Sequence, residues 1–454
     1  MFFVDTIEVS GLGNRSHLAG GERTAVVVDP PRDIDRLIAA AARRGVRISH
    51  VVETHVHNDY VTGGLELARV TGAAYLVPAG ARVSYDRVPV HDGDRLEIDA
   101  TAGLSLRALA TPGHTPHHTS YVLEEHGTAV AVFTGGSLLI GTVGRPDLVE
   151  PRLTEDLGRA QHASAHRLAA ELPDDTAVLP THGFGSFCSS GRAEGGSTTI
   201  GEEKTRNEAL VRDVDSFVTA LLAGLDDVPA YYAHMGPANT AGPAPVDLTP
   251  PAVADAEEIA ARLAAGEWVV DLRNRVAFAE GHVAGSLNFE AEGQLATYLA
   301  WLIPWGKPVT LLAESAGQLA AAQRELVRVG IDRPAAAATG GPARWARRGE
   351  SLASFRRATF ADLAGRPRDG VVVLDVRRDA ERATGFVAGS VHLPLHTLHH
   401  RLHEVPEGQV WVHCAGGMRA AIAASLLDAA GRDVVAVDDS FDAAERAGLT
   451  VRTA

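Results

Sequence analysis

The chain contains very little cysteine. Only Cys188 and Cys414 occur among its 454 residues, and they lie far apart, in regions that we expect to be different domains. A disulfide framework is therefore not expected, and each thiol has to be interpreted on its own.

The chain also has no excess of positive charge. Its formal net charge is -15 and its pI is near 5.7, which disfavours nucleic-acid and anionic-membrane partners. The first stretch, MFFVDTIEVSGLGN, has an acidic residue at position 5 and no apolar run long enough for a signal peptide or a spanning helix. We expect a cytoplasmic protein without a membrane partner, whose apolar content of 45% permits a homodimer.

The length predicts about three domains. From residue 24, short β-rich runs alternate with helical patterns, and after residue 100 the strands follow one another more closely, which favours an α/β domain of two sheets with outer helices. Residues 201–226 are predicted to form one helix that closes this domain. A stretch rich in Pro, Gly and Ala follows and predicts a linker. The expected domains are 1–232, a linker 233–253, then 254–350 and 351–454.

The last two domains are copies of one module. Asp271 corresponds to Asp375 and Gly285 to Gly389 at the same offset of 104 residues. Each copy alternates strand and helix, which predicts a parallel sheet with helices on both faces.

The second copy contains a candidate nucleophile. Cys414 begins the loop CAGGMR between a predicted strand and a predicted helix, where backbone N–H groups and a helix N-terminus favour a thiolate. Gly416 and Gly417 let the loop curl around the sulfur and a bound anion, and Arg419 adds a cation. The alternative is a buried, inert cysteine.

This copy resembles the rhodanese family, through its cysteine-to-arginine loop and the stretches VVVLDVR and GFVAGSVHLPL. The resemblance implies sulfurtransferase chemistry, with Cys414 and Arg419 as catalytic residues and thiosulfate or sulfite as partners. Glu314 stands at the cysteine position of the first copy, so we expect that copy to be inactive and to serve packing or substrate docking.

The first domain contains a candidate metal loop, HVHNDY. His55 and His57 follow a predicted strand, and His114 and His182 follow later strands, so their side chains are expected at strand ends where α/β active sites open. Taken alone, the first pair is equally compatible with exposed or core histidines.

Together these motifs resemble those of the metallo-β-lactamase superfold over most of residues 1–200, which implies an αββα sandwich. Tyr60 replaces the histidine that would bind a second metal, and Gly136 replaces the family's ligating aspartate. We therefore expect one ion held by His55, His57 and His114. Three further residues would either orient the ligands or be remnants of a second site: Asp59, Tyr60 and His182. A metal-free pocket and a two-metal site remain alternatives.

The fusion to rhodanese-like modules makes the chain similar to the persulfide dioxygenases, which resemble glyoxalase II but bind one iron. This implies one Fe(II), with Zn as the alternative, and a glutathione-like thiol persulfide oxidised to sulfite. Arg145 is a candidate anchor for a substrate carboxylate or a partner for Asp147, and Cys188 lines a pocket or packs in the core. The alternatives are a sulfurtransferase whose degenerate first domain only binds, and a zinc thioester hydrolase.

Overall fold

The computed structural model describes residues 2–191, 195–366 and 370–451. The chain divides into two compact units, one formed by Met1–Val246 with Val327–Gly330 and the other by Asp247–Leu326 with Ile331–Ala454.

The first unit contains two six-stranded sheets. In the first sheet the strands follow chain order, with antiparallel pairs among the first three strands and parallel pairs after them. Its strands are β1 Phe3–Val9, β2 Asn14–Gly20, β3 Thr24–Val28, β4 Arg47–Val52, β5 Ala74–Pro78 and β6 Val88–Val90. The second sheet has the order β12-β11-β10-β9-β8-β7. Its strands are β7 Arg95–Asp99, β8 Leu104–Ala110, β9 Thr119–Glu125, β10 Thr128–Gly135, β11 Ala177–Pro180 and β12 Thr198–Thr199.

The two sheets pack face to face with helices outside. Strand β8 shows why, because Leu104, Leu106 and Ala108 alternate with less buried residues and pack with Val26 of the first sheet and Phe133 of the second. Full burial of each large apolar side chain contributes about 1.5–3 kcal/mol. The helices are α1 Asp35–Arg44, α2 Gly64–Thr71, α3 Thr154–Glu171, α4 Ile200–Arg206, α5 Glu208–Val211, α6 Val214–Ala223 and α7 Tyr232–Ala241. This confirms the αββα sandwich.

Two local predictions differ from the structure. Residues 201–226 form three short helices instead of one, because Asn207 and Asp213 cap new helix starts with their side chains. The predicted linker begins with a helix, α7, which contains Pro237 and buries Met235 and Asn239 in the first unit. Its lack of amphipathic periodicity hid it in the sequence, because the burial comes from tertiary contacts.

The second unit contains two parallel sheets, with the orders β14-β13-β15-β16 and β17-β22-β21-β18-β20, and one short antiparallel pair, β19-β23. The strands are β13 Trp268–Asp271, β14 Leu287–Asn288, β15 Val309–Ala313, β16 Ala336–Thr339, β17 Arg356–Ala358, β18 Val371–Asp375, β19 Phe386–Val387, β20 Val391–His392, β21 Gln409–His413, β22 Val434–Val437 and β23 Thr450–Val451. The helices are α8 Ala256–Ala264, α9 Arg275–Glu280, α10 Leu295–Leu302, α11 Ala316–Val327, α12 Pro342–Trp345, α13 Phe360–Ala364, α14 Asp379–Ala383, α15 Leu395–Arg401, α16 Met418–Ala429 and α17 Phe441–Arg446.

The repeat is visible in matching contacts. In the first copy the guanidinium of Arg273 pairs with Asp271 and donates to the carbonyl of Gly281 at 2.8 Å. In the second copy Arg377 pairs with Asp375 and donates at 2.8 Å to the carbonyl of residue 385. The same ion pair therefore fixes the same strand end twice, which supports two copies of one module.

Within the described residues, no helix has both the length and the hydrophobicity needed to cross a membrane.

Candidate metal centre and thiol loop

Four buried histidines meet at the ends of three strands. His55 and His57 follow β4, His114 follows β8, and His182 follows β11. The ring centroids of His55 and His57 are 4.2 Å apart, and those of His114 and His182 are 5.3 Å apart. The fold therefore brings together all four histidines that the sequence singled out.

One nitrogen of each imidazole is fixed by a neighbour. Nδ1 of His55 lies 2.8 Å from the hydroxyl of Thr54, and Nδ1 of His114 lies 2.8 Å from the carbonyl of Arg145. Nδ1 of His182 lies 3.2 Å from a carboxylate oxygen of Asp59. Such contacts fix ring orientation, as outer partners of metal-binding histidines do.

His57 lies between two carboxylates. Its Nε2 is 3.2 Å from both Asp29 and Glu53. Burial by itself lowers the pKa of His57, but these two carboxylates outweigh burial and raise the pKa to about 10. Without a metal, His57 is therefore an imidazolium at neutral pH.

Two further ring nitrogens can bind an ion, that of His57 once its imidazolium has lost the Nδ1 proton. Nε2 of His114 and Nδ1 of His57 are buried and make no hydrogen bond within the described part of the chain. Burial first, and then His182, lowers the pKa of His114 to about 3, so its lone pair is available at neutral pH. Buried nitrogens without a hydrogen-bond partner are unusual, and both can serve as metal ligands. The donor set thus fits a metal ion.

Two overlapping donor groups share His182. Ring nitrogens of His55, His57 and His182 lie within 4.8 Å of one another, and so do donor atoms of His114, His182 and Cys188. The expected set of His55, His57 and His114 lies in one cluster, but both of these groups include His182, which the sequence had assigned to an outer role. A third group joins His57 to Asp29 and Glu53.

The two departures from the family pattern have clear structural consequences. Tyr60 donates from its hydroxyl to the carbonyl of Asp29 at 3.3 Å, and its ring lies 4.4 Å from that of His57, so it supports the loop. At Gly136, an added Cβ would overlap the ring of His114. The space for an aspartate is therefore taken by an imidazole.

Arg145 is committed to protein groups. It forms a two-pronged ion pair with Asp147, at 2.7 and 2.8 Å, and donates to the carbonyls of Phe187 and Asp226. Only 3% of its surface is exposed. The structure favours the ion-pair alternative over the anchoring of a substrate carboxylate.

Sequence reasoning missed several residues around this centre. Asp29 and Glu53 directly follow the strands β3 and β4, and His118 stacks on His55 with a centroid distance of 5.0 Å. Asn239 of α7 donates to the carbonyls of His57 and Tyr60, both at 2.8 Å. The pattern "VVVDPP" at a strand end was a signal for Asp29. Asn239 lies 177 residues or more from its partners and gave no signal.

The thiol loop of the second unit places two backbone N–H groups against the cysteine sulfur. Sγ of Cys414 accepts hydrogen bonds from the backbone N–H groups of Gly417 at 3.2 Å and Ala420 at 3.4 Å. Gly417 has φ +93°, and a Cβ there would overlap the carboxylate of Asp438, so this turn requires glycine. Gly416 has open space around it.

Arg419 is held beside the loop by Glu381. Its two terminal nitrogens each lie 2.6 Å from a carboxylate oxygen of Glu381. Burial by itself raises the pKa of Glu381, but Arg419 outweighs it and lowers the pKa to about 2. In the first copy, Glu314 is exposed at the position that corresponds to Cys414.

The first copy contributes one residue that sequence reasoning missed. Tyr298 of α10 is buried and interacts electrostatically with Arg419 and Cys414. Burial raises the pKa of Tyr298, so its phenol stays protonated and is a potential hydrogen-bond donor.

Sequence comparison identifies both parts of the chain. Residues 11–182 match the metallo-beta-lactamase superfamily, and residues 255–348 and 359–447 each match the rhodanese-like domain. The chain therefore belongs to the metallo-β-lactamase superfamily and carries two rhodanese-like domains after that fold.

Individual proteins of known name are similar to part of this chain. The mitochondrial persulfide dioxygenase ETHE1 of Homo sapiens is 31% identical over 204 residues, which span 43% of this chain and 70% of the relative. The hydroxyacylglutathione hydrolase of Methylococcus capsulatus is 31% identical over 211 residues, or 46% of this chain and 76% of the relative. A metallo-beta-lactamase structure from Staphylococcus aureus has a TM-score of 0.67 at 24% identity, covers 75% of this chain and 99% of its own, and shows the likeness of fold.

Proposed function

We propose that the chain is a sulfur-metabolism enzyme that transfers sulfane sulfur through Cys414. The observation that carries this proposal is the pair of backbone N–H groups, of Gly417 and Ala420, that point at Sγ of Cys414. Donors in this position stabilise a thiolate and, after reaction, a persulfide anion. The start of the twelve-residue helix α16 adds partial positive charge.

The reaction follows from this geometry. The Cys414 thiolate attacks the outer sulfur of thiosulfate, a sulfur–sulfur bond forms, and the old sulfur–sulfur bond breaks with its electron pair leaving on sulfite. An acceptor thiolate or cyanide then attacks the outer sulfur of the Cys414 persulfide, and the Cys414 thiolate leaves. Arg419, fixed by Glu381, offers a cation to the anionic donor.

A second function, oxidation of a thiol persulfide to sulfite, is supported at the histidine cluster by the 31% identity to a persulfide dioxygenase. One Fe(II) held there by His55, His57, His114 or His182 would supply the oxygen-dependent redox chemistry, and Zn is the alternative metal. The chain's own part is to orient the rings, through Thr54 at His55 and Asp59 at His182.

The two reactions are chemically compatible. Sulfite from the first centre could accept the sulfur carried by Cys414 and give thiosulfate, or thiosulfate could load Cys414 in the reverse direction. A zinc thioester hydrolase fits less well, because two-metal hydrolysis needs ligands that Tyr60 and Gly136 do not supply. A first domain that only binds a thiol is the remaining alternative.

Thiosulfate-to-cyanide sulfur transfer tests the first function. Cys414→Ser should abolish the activity, because no other thiol lies in this loop. Glu314→Ala, at the corresponding position of the first copy, is the matched control and should keep it. Activity that persists in Cys414→Ser would overturn the proposal.

Oxygen uptake with glutathione persulfide tests the second function. The full chain loaded with iron should consume oxygen and release sulfite. If the iron-loaded chain consumes none while cyanide-dependent sulfur transfer persists, only the second function fails.

A further inference from the structure

Cys188 lies in polar surroundings that are unusual for a structural thiol. It is fully buried, yet its sulfur and ring nitrogens of His114 and His182 lie within 4.8 Å of one another. Its sulfur also lies 3.9 Å from the hydroxyl of Tyr232 and interacts with Asp59. A core cysteine that only fills space is normally packed against apolar groups.

His114, in the same group, has a ring nitrogen without a hydrogen-bond partner among the described residues. Nδ1 of His114 is occupied by the carbonyl of Arg145, while its Nε2 is buried without a hydrogen-bond partner among the described residues. This unsatisfied nitrogen is a second observation, independent of the thiol, that points to an ion at this position.

The backbone of Arg145 holds both candidate ligands. Its N–H donates to the carbonyl of Cys188 at 2.9 Å, and its own carbonyl faces His114 at 2.8 Å. An antiparallel bridge between Gly144 and Ser189 extends this connection. The thiol and the imidazole are therefore placed by one short piece of extended backbone.

The cluster lacks an anionic donor at the position where the family pattern has one. An aspartate at residue 136 would overlap the ring of His114, so that ligand cannot simply be restored. The Cys188 loop, which follows His182 in the chain, brings a potential thiolate to the same imidazole.

We propose that Cys188 is a metal ligand, and that its thiolate together with His114 and His182 holds the divalent ion of this centre. On binding, the thiol proton leaves to solvent and the sulfur donates the freed electron pair to the ion. A thiolate with imidazoles is a donor set suited to Zn²⁺ and its spectroscopic substitute Co²⁺. This assignment concerns the ligand set and does not depend on whether the centre oxidises persulfides.

Cobalt spectroscopy on the full chain tests the assignment. The purified chain is stripped with a chelator and titrated with Co²⁺, and the wild type should show thiolate-to-cobalt charge-transfer absorption in the near ultraviolet. Cys188→Ser should lose this absorption and bind Co²⁺ more weakly, by more than the 10–100-fold typical of losing an outer partner of a ligand. Cys414→Ser, which removes the only other thiol in the chain, should keep it.

Each other result contradicts the proposal. Absorption that persists in Cys188→Ser, absorption that is lost in Cys414→Ser, binding of Co²⁺ without any thiolate band in the wild type, or no binding at all would overturn it.

X-ray absorption at the zinc edge covers the case in which Cys188→Ser does not fold. In the Cys414→Ser chain loaded with Zn²⁺, one sulfur should lie about 2.3 Å from the metal. A shell made only of nitrogen and oxygen would contradict the assignment without requiring any change at Cys188.

Discussion

The imidazole of His114 occupies the space beside Gly136, so that a Cβ built on Gly136 would overlap the ring and lie 2.8 Å from its Nε2. The His114 ring can lie in this position because residue 136 has no side chain. The absence of the aspartate and the position of the ring are therefore linked.

Gly136→Asp should therefore destabilise the first unit instead of restoring a family ligand. Overpacking at such a site costs about 1–3 kcal/mol, and the new buried charge adds to this. Urea unfolding measures the loss. Gly196→Asp, at an exposed glycine whose Cβ would meet no atom within 4 Å, is the control and should be close to neutral. Equal stability of both variants would contradict this interpretation.

Asn239→Ala should loosen the histidine loop. The side chain donates to the carbonyls of His57 and Tyr60 and accepts from the N–H of Thr62 at 2.9 Å, so its loss leaves buried groups unpaired. We expect a loss of about 1–3 kcal/mol in the free energy of unfolding together with weaker metal binding. Ala233→Ser on the exposed face of the same helix should change neither quantity.

Asp29→Asn should weaken metal binding while leaving the fold intact. Asp29 has φ +49°, which asparagine also tolerates, and its carboxylate faces Nε2 of His57. Loss of an outer partner of this kind costs about 10–100-fold in metal affinity. Competition with a coloured chelator measures the affinity, and Asp86→Asn, at an exposed position, serves as the control. An unchanged affinity in Asp29→Asn would remove His57 from the metal centre.

The Glu381–Arg419 pair predicts a specific pH dependence. Because Arg419 outweighs burial and lowers the pKa of Glu381 from 4.5 to about 2, the pair stabilises the second unit fully above the unfolded value and loses this effect as the pH falls toward 2. Glu381→Gln should cost about 1–2 kcal/mol at pH 7, allowing for solvent screening, and progressively less below pH 4.5. A cost that does not change with pH would exclude the ion pair as its source.

Tyr298→Phe tests whether the first rhodanese-like copy takes part in sulfur transfer. The phenol of Tyr298 is close enough to Arg419 and Cys414 for an electrostatic influence, so its removal should raise KM for thiosulfate with little change in stability. Tyr231→Phe, in the first unit, is a control of the same chemistry. An unchanged KM would exclude Tyr298 from thiosulfate binding.

The sequence was sufficient to predict the αββα sandwich, the two parallel-sheet modules and the four histidines that meet in the first unit. Local signals carry this information, because strand and helix periodicity, the repeat at a fixed offset and short motifs such as HVHNDY all lie within a few residues or recur regularly. The loop around Cys414 was predictable for the same reason, since its amide donors at Gly417 and Ala420 follow within six residues.

The groups that surround the candidate metal centre could not be predicted from the sequence and became visible in the fold. Cys188 reaches His114 from another loop, and Asn239 reaches His57 from a helix that the composition had predicted to be linker. Contacts between residues so far apart depend on how sheets and loops pack, and packing leaves no periodic trace in the sequence. The overlap between the His114 ring and a side chain at residue 136 was likewise not predictable, because it depends on how two loops pack against each other.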